Sequence, residues 1–402
     1  MGSWDNLLVA QSGGATAVIN ASLVGAVETA RASARFGAII GARNGIEGIL
    51  GAEFVDLGRQ PPDVLMAVAR TPSAALGTTR RRLDDETAAL AVRNLARREV
   101  HHVAYIGGND SADTASRLAR AAVDARYELA VVGIPKTIDN DLPDTDHCPG
   151  YGSIARFMAL ATRDAGRDTE ATAGLYPIKL IEVMGRNAGW VAAATALGQE
   201  RDIDSPQLIF FPERPARDLA TFLDEIGAAH RRYGHVVAIV PETARDASGD
   251  PLTGAEAYWT DPFGHRYYQS PGPMLARAIE ERLGLRARYD KPGTIARMFG
   301  ACLSETDLSE AHMVGAAAVQ LLLTGVSGVM VTLVRAGDAP YRCATGTTPL
   351  ASVANRERHL PDEFITDGGR GITDAFRAYA VPLIGGPLPL YGRLLDLDVP
   401  GA

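Results

Sequence analysis

Short apolar runs alternate with longer helix-like segments along most of this chain. Residues 7–10, 103–106 and 129–134 form apolar runs of strand length. Residues 15–29, 111–125 and 153–165 instead have the composition and spacing of helices. Because strands that alternate with helices assemble into parallel sheets covered on both faces, we expect an α/β fold. Ligands of such folds bind at the carboxyl ends of the strands.

The length of 402 residues fits two or three domains, or one large α/β unit. The best candidate for a boundary is residues 141–151, which are rich in proline, glycine and aspartate. Residues 243–272 have weak periodicity and predict a loop excursion. Residues 349–402 are irregular and proline-rich, so we expect them to wrap the surface, and they carry no functional signal.

The composition limits the kinds of partner that this protein is expected to bind. The net charge of -8 argues against nucleic acid, and any anion site must concentrate positive charge locally. Three cysteines cannot all pair and none has metal-ligand spacing, which indicates a reducing compartment. Without an export signal or a run of 18 apolar residues, we expect a cytoplasmic protein with no membrane partner.

A glycine pair follows the strand predicted at residues 103–106. Gly107 and Gly108 would let backbone N–H groups approach an anion at the start of a helix, which Ser111 is predicted to cap. Asp110 is unexpected in such a turn, since a carboxylate repels phosphate. It therefore either holds a metal ion or rejects a ligand.

Two further segments predict anion contacts. Gly13 and Gly14 end the first strand, but the spacing is neither a dinucleotide fingerprint nor a P-loop, so a merely tight turn is equally consistent. Residues 80–82 are three arginines that point in different directions. A solvated basic cluster is the alternative, but the position favours Arg80 as a phosphate contact.

The loop after the strand at residues 129–134 carries the chemistry of a phosphoryl transfer. Lys136, Thr137, Asp139 and Asp141 lie within six residues. One carboxylate could act as general base on a hydroxyl while the lysine stabilises charge. The alternative is that the acidic residues merely cap a turn.

Three later segments add polar groups at predicted strand ends and glycine turns, namely residues 182–190, 240–242 and 290–297. Each is weak alone. Together with the earlier turns they favour a phosphorylated small molecule as ligand.

In this order these motifs resemble the phosphofructokinase family over roughly residues 5–335, and most closely its pyrophosphate-dependent branch. The motifs are Gly13-Gly14, residues 107–111, residues 135–141 and residues 184–186. The resemblance implies two Rossmann-like three-layer α/β/α domains with mostly parallel sheets. It implies a phosphoryl-donor domain of residues 1–145 with 297–325 returning to it, a sugar-phosphate domain of residues 146–296 with 326–340 returning to it, and a C-terminal extension of residues 341–402.

The resemblance also implies a reaction. A phosphoryl group passes reversibly from pyrophosphate to the 1-hydroxyl of fructose 6-phosphate, with Mg²⁺, in glycolysis and gluconeogenesis. Asp139 would be the general base, with Thr137 on the transferring phosphoryl and Asp141 supporting the loop or metal. The donor would meet Gly13, Gly14, Arg80, Gly107, Gly108 and Ser111.

The sugar phosphate would be bound by Thr137, Ile138, Asp139, Met184, Gly185, Arg186, Glu242, Thr294 and Arg297. Arg297 would hold the 6-phosphate. Arg288 matches an arginine that reaches across from a neighbouring subunit, which implies a homodimer or homotetramer with a shared active site.

Two positions predict the donor. ATP-using relatives carry glycine at Asp110 and at Lys136. A carboxylate about 4 Å from an α-phosphate repels it by roughly 4 kcal/mol at an effective dielectric near 20. The Lys136 ammonium can neutralise the leaving group. Pyrophosphate is therefore the expected donor.

Three residues depart from the family pattern. Asn109 stands where an aspartate usually belongs to the Mg²⁺ site, so Asn109 and Asp110 are the metal candidates. Pro177 replaces an arginine, for which Lys179 is the nearest substitute, and Thr294 replaces a histidine. The alternatives are ATP as donor, sedoheptulose 7-phosphate as acceptor, or a non-catalytic sugar-phosphate-binding regulatory subunit.

Overall fold

The computed structural model describes residues 5–260 and 266–395. Its strands, numbered in chain order, are β1 Asn6–Gln11, β2 Ile39–Ala42, β3 Phe54–Asp56, β4 Val100–Gly107, β5 Ala130–Pro135, β6 Ile178–Val183, β7 Leu208–Ile209, β8 Val236–Pro241, β9 Trp259–Thr260, β10 Arg266–Tyr267, β11 Ala287–Asp290, β12 Val329–Asp338 and β13 Tyr341–Pro349.

The helices alternate with the strands as the sequence predicts. They are α1 Ile19–Ser33, α2 Ile46–Gly51, α3 Pro62–Ala69, α4 Asp85–Ala96, α5 Asn109–Asp124, α6 Tyr151–Ala171, α7 Trp190–Ala194, α8 Leu219–Tyr233, α9 Pro271–Leu283, α10 Glu305–Leu323, α11 Leu350–Val353 and α12 Asp374–Ala380. Short 3-10 helices cover Thr195–Gly198, Gly293–Ile295, Gly300–Cys302, Asp362–Phe364 and Pro382–Ile384.

The first sheet has the order β13-β12-β5-β4-β1-β2-β3 in the described chain. Its central strands are parallel, and the outer pairs β13–β12 and β2–β3 are antiparallel. The apolar run of β1 is fully buried because helices cover both faces. Register pairs Gln11 with Ile106 and Gly107 with Pro135. The loops that follow β1, β4 and β5 therefore start side by side.

The second sheet has the order β11-β6-β8-β7, and its described strands are all parallel. Register pairs Val183 with Pro241, which places the turn after β6 beside the residue that follows β8. This mixed α/β architecture with mostly parallel sheets confirms the predicted fold class. Segment 243–272, expected as a loop excursion, contains the short antiparallel pair β9–β10, and residues 261–265 lie outside the described chain.

Helix α10 packs closely along α1 under the first sheet. A Cβ on Gly315 would lie 2.0 Å from the carbonyl oxygen of Ser22, and one on Gly25 would lie 2.1 Å from that of His312. Glycine at both positions lets the two backbones approach. Through this contact α10 joins the core that is formed by the first strands and helices of the chain.

The prediction that residues 326–340 return to the second domain is wrong. Strand β12 pairs in parallel with β5 of the first sheet, with Val329 opposite Val132 and Met330 opposite Gly133. The run 329–334 is apolar enough for a buried strand of either sheet. Its sequence does not encode which edge it joins.

The C-terminal extension does more than wrap the surface. Strand β13 closes the edge of the first sheet. Leu350 and Val353 are buried in the core of that sheet. Residues farther on enter the core of the second sheet, including Leu360, Ile365, Phe376, Leu383 and Ile384. The extension therefore connects both cores.

Candidate active site

A cavity of about 650 Å³ opens between the carboxyl ends of the two sheets. Turns after β1, β4, β5, β6 and β8 form its walls. Most residues predicted for the site line it, namely Gly13, Gly14, Arg80, Gly108, Asn109, Asp110, Ser111, Lys136, Thr137, Ile138, Asp139, Met184, Gly185, Arg186, Glu242, Thr294 and Arg297. Gly107 and Arg288 do not line it.

The turn after β1 is shaped around the Lys136 ammonium. Lys136 is buried, and its Nζ donates a hydrogen bond of 2.7 Å to the carbonyl oxygen of Gly14. A Cβ on Gly13, whose φ is +77°, would lie 3.1 Å from that Nζ. Burial, followed by the charge of Arg297, lowers the pKa of Lys136 to about 8. The amine is therefore still mostly protonated at neutral pH.

The turn after β4 corrects one prediction. Helix α5 begins at Asn109 with Gly108 as N-cap and no side-chain cap, so Ser111 is not the capping residue. A Cβ on Gly107 would lie 2.0 Å from Ser111 Oγ, which explains the glycine. Asn109 Oδ1 accepts the Asp110 N–H at 2.8 Å. The first turn of α5 faces the cavity.

The three arginines of residues 80–82 separate, as their spacing predicts. Arg80 and Arg81 line the cavity, and Arg81 also pairs with Glu47 at 2.8 Å. Arg82 Nη2 lies 3.6 Å from Asp110 Oδ1. The carboxylate at the start of α5 is therefore held by a cation from a different loop.

Two half-buried carboxyl groups follow Lys136 on the turn after β5. Burial, then the like charge of Glu242, raises the pKa of Asp139 above its ordinary value, and Arg186 opposes this. Burial, then the charge of Asp139, raises the pKa of Asp141. Asp139 Oδ1 has no hydrogen-bond partner within residues 5–260 and 266–395. A buried, partnerless carboxyl oxygen beside a cavity suits a proton acceptor.

Residues of the second sheet form the opposite wall. Gly185 and Arg186 adopt φ values of +129° and +47°, and Thr243 Oγ1 donates a 2.6 Å hydrogen bond to the carbonyl oxygen of Arg186. Glu242 is half-buried, and the partial removal of its carboxylate from water raises its pKa. The turn after β6 is thus fixed by the residue that follows Glu242.

Arg297 reaches toward the first sheet. A Cβ on Gly14 would lie 2.7 Å from Arg297 Nη1. Burial, then the charge of Arg80, lowers the pKa of Arg297. In this structure the guanidinium lies between the predicted donor and sugar sides of the cavity.

Two predicted cations lie elsewhere. Lys179 is buried and pairs with Asp168 at 3.2 Å and Asp290 at 3.1 Å, so it does not replace the arginine missing at Pro177. The Arg288 guanidinium stacks on the ring of Tyr176, with its carbon 3.6 Å from the ring centroid.

Sequence reasoning missed several lining residues, including Asn187, Arg245, Tyr258, Tyr268, Ser270, Lys291 and Glu357. Asn187 and Lys291 lay in segments already singled out, although no role was assigned to either. Glu357 comes from the C-terminal extension and accepts a 3.0 Å hydrogen bond from Asn187 Nδ2. Nothing local to residue 357 indicates that the chain returns to the cavity there.

Comparison with known proteins agrees with this geometry. The family profile described as Phosphofructokinase matches residues 6–322. The chain belongs to the phosphofructokinase family. It is a phosphotransferase of the phosphofructokinase type.

Curated relatives of this phosphofructokinase cover nearly its whole length. A pyrophosphate–fructose 6-phosphate 1-phosphotransferase of Xanthomonas campestris is 41% identical over 394 residues, covering 96% of this chain and 93% of the relative. A protein of the same name from Methylococcus capsulatus is 39% identical over 410 residues, covering 98% and 97%.

A crystal structure of a pyrophosphate-dependent phosphofructokinase from Nitrosospira multiformis superposes with a TM-score of 0.87 at 34% identity, covering 98% of this chain and 95% of that one. The phosphofructokinase fold is therefore confirmed. Within the described residues, none of the helices has the length and apolar character needed to cross a membrane.

Proposed function

We propose that this phosphofructokinase transfers a phosphoryl group reversibly from pyrophosphate to the 1-hydroxyl of D-fructose 6-phosphate, giving fructose 1,6-bisphosphate. The observation that carries the proposal is a single cavity lined by Asp110, Lys136 and Asp139. It unites a carboxylate suited to exclude a nucleotide, a buried ammonium and a partnerless base. The names of the relatives support the same reaction.

Asp139 is the proposed general base. The 1-hydroxyl gives its proton to an Asp139 carboxylate oxygen as its own oxygen forms a bond to phosphorus. The bridging P–O bond of pyrophosphate breaks, and inorganic phosphate leaves with the bonding electrons. Because burial raises the pKa of Asp139, its carboxylate accepts a proton more readily near neutral pH than an exposed aspartate does.

Lys136 is proposed to stabilise the charge that develops on the leaving phosphate. Its ammonium is already oriented by the Gly14 carbonyl and needs no reorganisation. A fixed charge in a site that excludes water stabilises a transition state more than the same charge does in water. Thr137 is proposed to contact the transferring phosphoryl group, and Gly13 and Arg80 the remaining phosphate oxygens.

Asp110 is proposed to select pyrophosphate over ATP. It occupies the first turn of α5, where a nucleotide's next phosphate would meet a fixed negative charge. Arg82 forms an ion pair with this carboxylate at 3.6 Å. Pyrophosphate lacks the third phosphate and avoids the repulsion.

Mg²⁺ is the proposed cofactor, and the residues fit it. The first turn of α5 presents the side-chain oxygens of Asn109 and Asp110 to the cavity, and amide and carboxylate oxygens are ligands that Mg²⁺ takes in proteins. Asn109 and Asp110 would hold the ion, with the charge supplied by Asp110, since Asn109 Oδ1 already accepts a backbone N–H. The bound ion would neutralise pyrophosphate oxygens.

Fructose 6-phosphate is proposed to lie against the wall formed by Ile138, Met184, Gly185, Arg186, Glu242, Thr294 and Arg297. Arg288 lies outside this cavity on β11, an edge strand of the second sheet. Its proposed role is to complete the site of a neighbouring subunit in a homodimer or homotetramer.

A donor assay tests the proposal. Purified protein with Mg²⁺ is given fructose 6-phosphate or sedoheptulose 7-phosphate, together with pyrophosphate, ATP or no donor. We expect bisphosphate formation from fructose 6-phosphate with pyrophosphate, and the reverse reaction with phosphate. Activity with ATP alone contradicts the donor assignment. Sugar-phosphate binding without turnover under any condition indicates the regulatory subunit instead.

A further inference from the structure

The C-terminal extension passes directly behind the catalytic loop. After α11 the chain crosses from the first core toward the second, and Glu357 lines the cavity on the way. The next residue, Arg358, turns away from the cavity and into the loop of residues 139–147.

Arg358 donates hydrogen bonds to four carbonyl groups of that loop. Its Nη1 donates to the carbonyl oxygens of Thr145 at 2.6 Å and Asp146 at 2.8 Å. Its Nη2 and Nε donate to that of Asn140 at 2.9 and 3.3 Å. Its backbone N–H donates to the carbonyl oxygen of Asp141 at 2.6 Å. A planar guanidinium is suited to such a divergent set of acceptors, and an ammonium is not.

The face of the guanidinium is also fixed. Its carbon lies 4.5 Å from the centroid of the buried Trp190 ring, whose Nε1–H donates to the carbonyl oxygen of Arg358 at 3.2 Å. Arg358 therefore has one orientation set by Trp190 on one side and by the loop on the other.

The loop needs this support at the residue between its two acids. Asn140 has a φ of +55°, in the left-handed region that non-glycine residues rarely adopt. Its side chain donates to Tyr379 Oη at 2.8 Å and accepts the Cys148 N–H at 2.9 Å. Such backbone persists only where surrounding contacts fix it. Arg358 holds the carbonyl group of this same residue.

We infer that Arg358 is a positioning residue for Asp139, acting through the backbone of the catalytic loop. This rests on the proposed function, in which Asp139 is the general base. Arg358 is absent from the cavity lining, so its removal changes no direct contact with pyrophosphate or sugar phosphate. A displaced base lowers kcat, whereas KM depends on the unchanged contacts.

The test compares Arg358→Ala and Arg358→Lys with a matched control, Arg370→Ala. Arg370 belongs to the same extension and is equally well anchored, since it pairs with Glu225 and donates to the carbonyl oxygens of Arg214 and Gly369. None of these three partners belongs to the catalytic loop. Readouts are kcat and KM with pyrophosphate, and Tm.

We expect Arg358→Ala to lower kcat about 100-fold, the size of effect that a displacement of about 1 Å produces, with KM within threefold. Lysine should recover part of kcat because it can keep one of the carbonyl hydrogen bonds. Arg370→Ala should lower Tm and leave kcat within threefold of the parent protein.

A double variant isolates the route of action. If Arg358 acts through Asp139, adding Arg358→Ala to Asp139→Ala lowers kcat no further. A purely structural role predicts multiplied losses, and that outcome overturns the inference. So does a kcat for Arg358→Ala that falls only in proportion to the folded fraction.

If Arg358→Ala does not fold, Arg358→Lys and Arg358→Gln decide the question, because each keeps a donor but lacks the planar fork. An unchanged kcat in both overturns the inference. Failure of the proposed function is separate, because it appears as absent turnover with pyrophosphate in the unaltered protein.

Discussion

Asp139 is the residue on which the proposed chemistry depends most directly. Replacing it by alanine removes the proton acceptor while leaving the phosphate-binding arginines in place. We expect kcat to fall by about 10²–10⁴-fold, the usual contribution of a general base, with little change in KM. Steady-state kinetics in both directions measures this, and a near-normal kcat removes Asp139 from its role.

Glu357 tunes that base from the C-terminal extension. Its negative charge raises the pKa of Asp139 and also that of Asp141. A base must be deprotonated to act, so kcat/KM falls as pH drops through the pKa of Asp139. Glu357→Gln should lower this pKa and move the acid limb of the pH profile to lower pH, modestly because Glu357 is exposed.

The control for Glu357 is Glu363→Gln, which removes an exposed carboxylate from the same extension outside the cavity. Its acid limb should stay in place. A limb that moves equally in both variants, or not at all in Glu357→Gln, contradicts the local effect.

The donor assignment predicts the behaviour of a double replacement. Asp110→Gly with Lys136→Gly removes both the repelling charge and the ammonium. We expect kcat/KM with pyrophosphate to fall at least about 100-fold, the scale of losing one preorganised charge contact, and room to open for ATP. Comparing both donors against each single variant measures this. An unchanged rate with pyrophosphate contradicts the argument.

At the residue scale, the sequence predicts which side chains lie together when they belong to one turn. Lys136, Thr137 and Asp139 share one turn, and their closeness in sequence predicts that they lie together, as they do in the cavity. Arg82 beside Asp110, and Arg297 beside Gly14, are contacts between separate loops. Composition of either loop does not encode them.

Among the secondary-structure elements, α6 depends on a residue from another helix. Its N-cap is Gly150, which has no side chain to satisfy the first N–H groups. Asp307 of α10 accepts hydrogen bonds from the backbone N–H groups of Gly150 at 2.8 Å and Ser153 at 2.9 Å, and from Ser153 Oγ at 2.6 Å. The carboxylate therefore joins α10 to the start of α6.

Asp307→Ala should lower the free energy of unfolding by about 2–4 kcal/mol, because it leaves buried donors without an acceptor. Urea unfolding measures the change. The control is Glu305→Ala in the same turn, whose exposed pair with Arg70 is worth at most about 1 kcal/mol. Equal losses in both variants contradict the capping role.

The first residues of α1 and α5 show that helix propensity alone does not determine where a helix begins. Apolar periodicity predicts a helix over residues 15–29, yet α1 begins at Ile19, after a turn in which Gly13 and Gly14 lie against Lys136. Ser111 has the side chain of a cap, but the glycine pair lets α5 begin two residues earlier, at Asn109. The turn that follows β1 thus shortens α1, whereas the glycine pair that follows β4 lengthens α5.

On the scale of the whole molecule, a shared active site predicts complementation. Arg288→Ala should raise KM for fructose 6-phosphate, and sedimentation should show at least a dimer. Hybrids of Arg288→Ala with Asp139→Ala subunits should regain activity, because one intact site per dimer combines Asp139 of one subunit with Arg288 of the other. Random mixing gives about a quarter of parental activity.

Arg286→Ala is the matched control, since Arg286 stacks on the same Tyr176 ring with its guanidinium carbon 4.6 Å from the centroid. It should leave KM unchanged. A fully active monomer, or hybrids without recovery, excludes the shared site.

The sequence predicts the fold class, but it does not predict which strands are neighbours in each sheet. Alternating apolar and helical segments predict parallel sheets, and the strand ends predict where the cavity lies. The sheet that receives residues 329–334 depends on which edge remains open after the other strands have paired. That is a property of the assembled fold, which explains the wrong assignment of this segment.

The pairing of β12 with β5 also means that β5 is synthesised long before its partner strand. Pro135 and Val329 are separated by 194 residues (329 minus 135), which a ribosome adds in about 10–40 s at roughly 5–20 residues per second. Throughout that interval the β5 edge has no strand to pair with, and an open apolar edge invites pairing with other nascent chains. The emergence of β12 from the exit tunnel allows it to pair with β5 and so covers this edge.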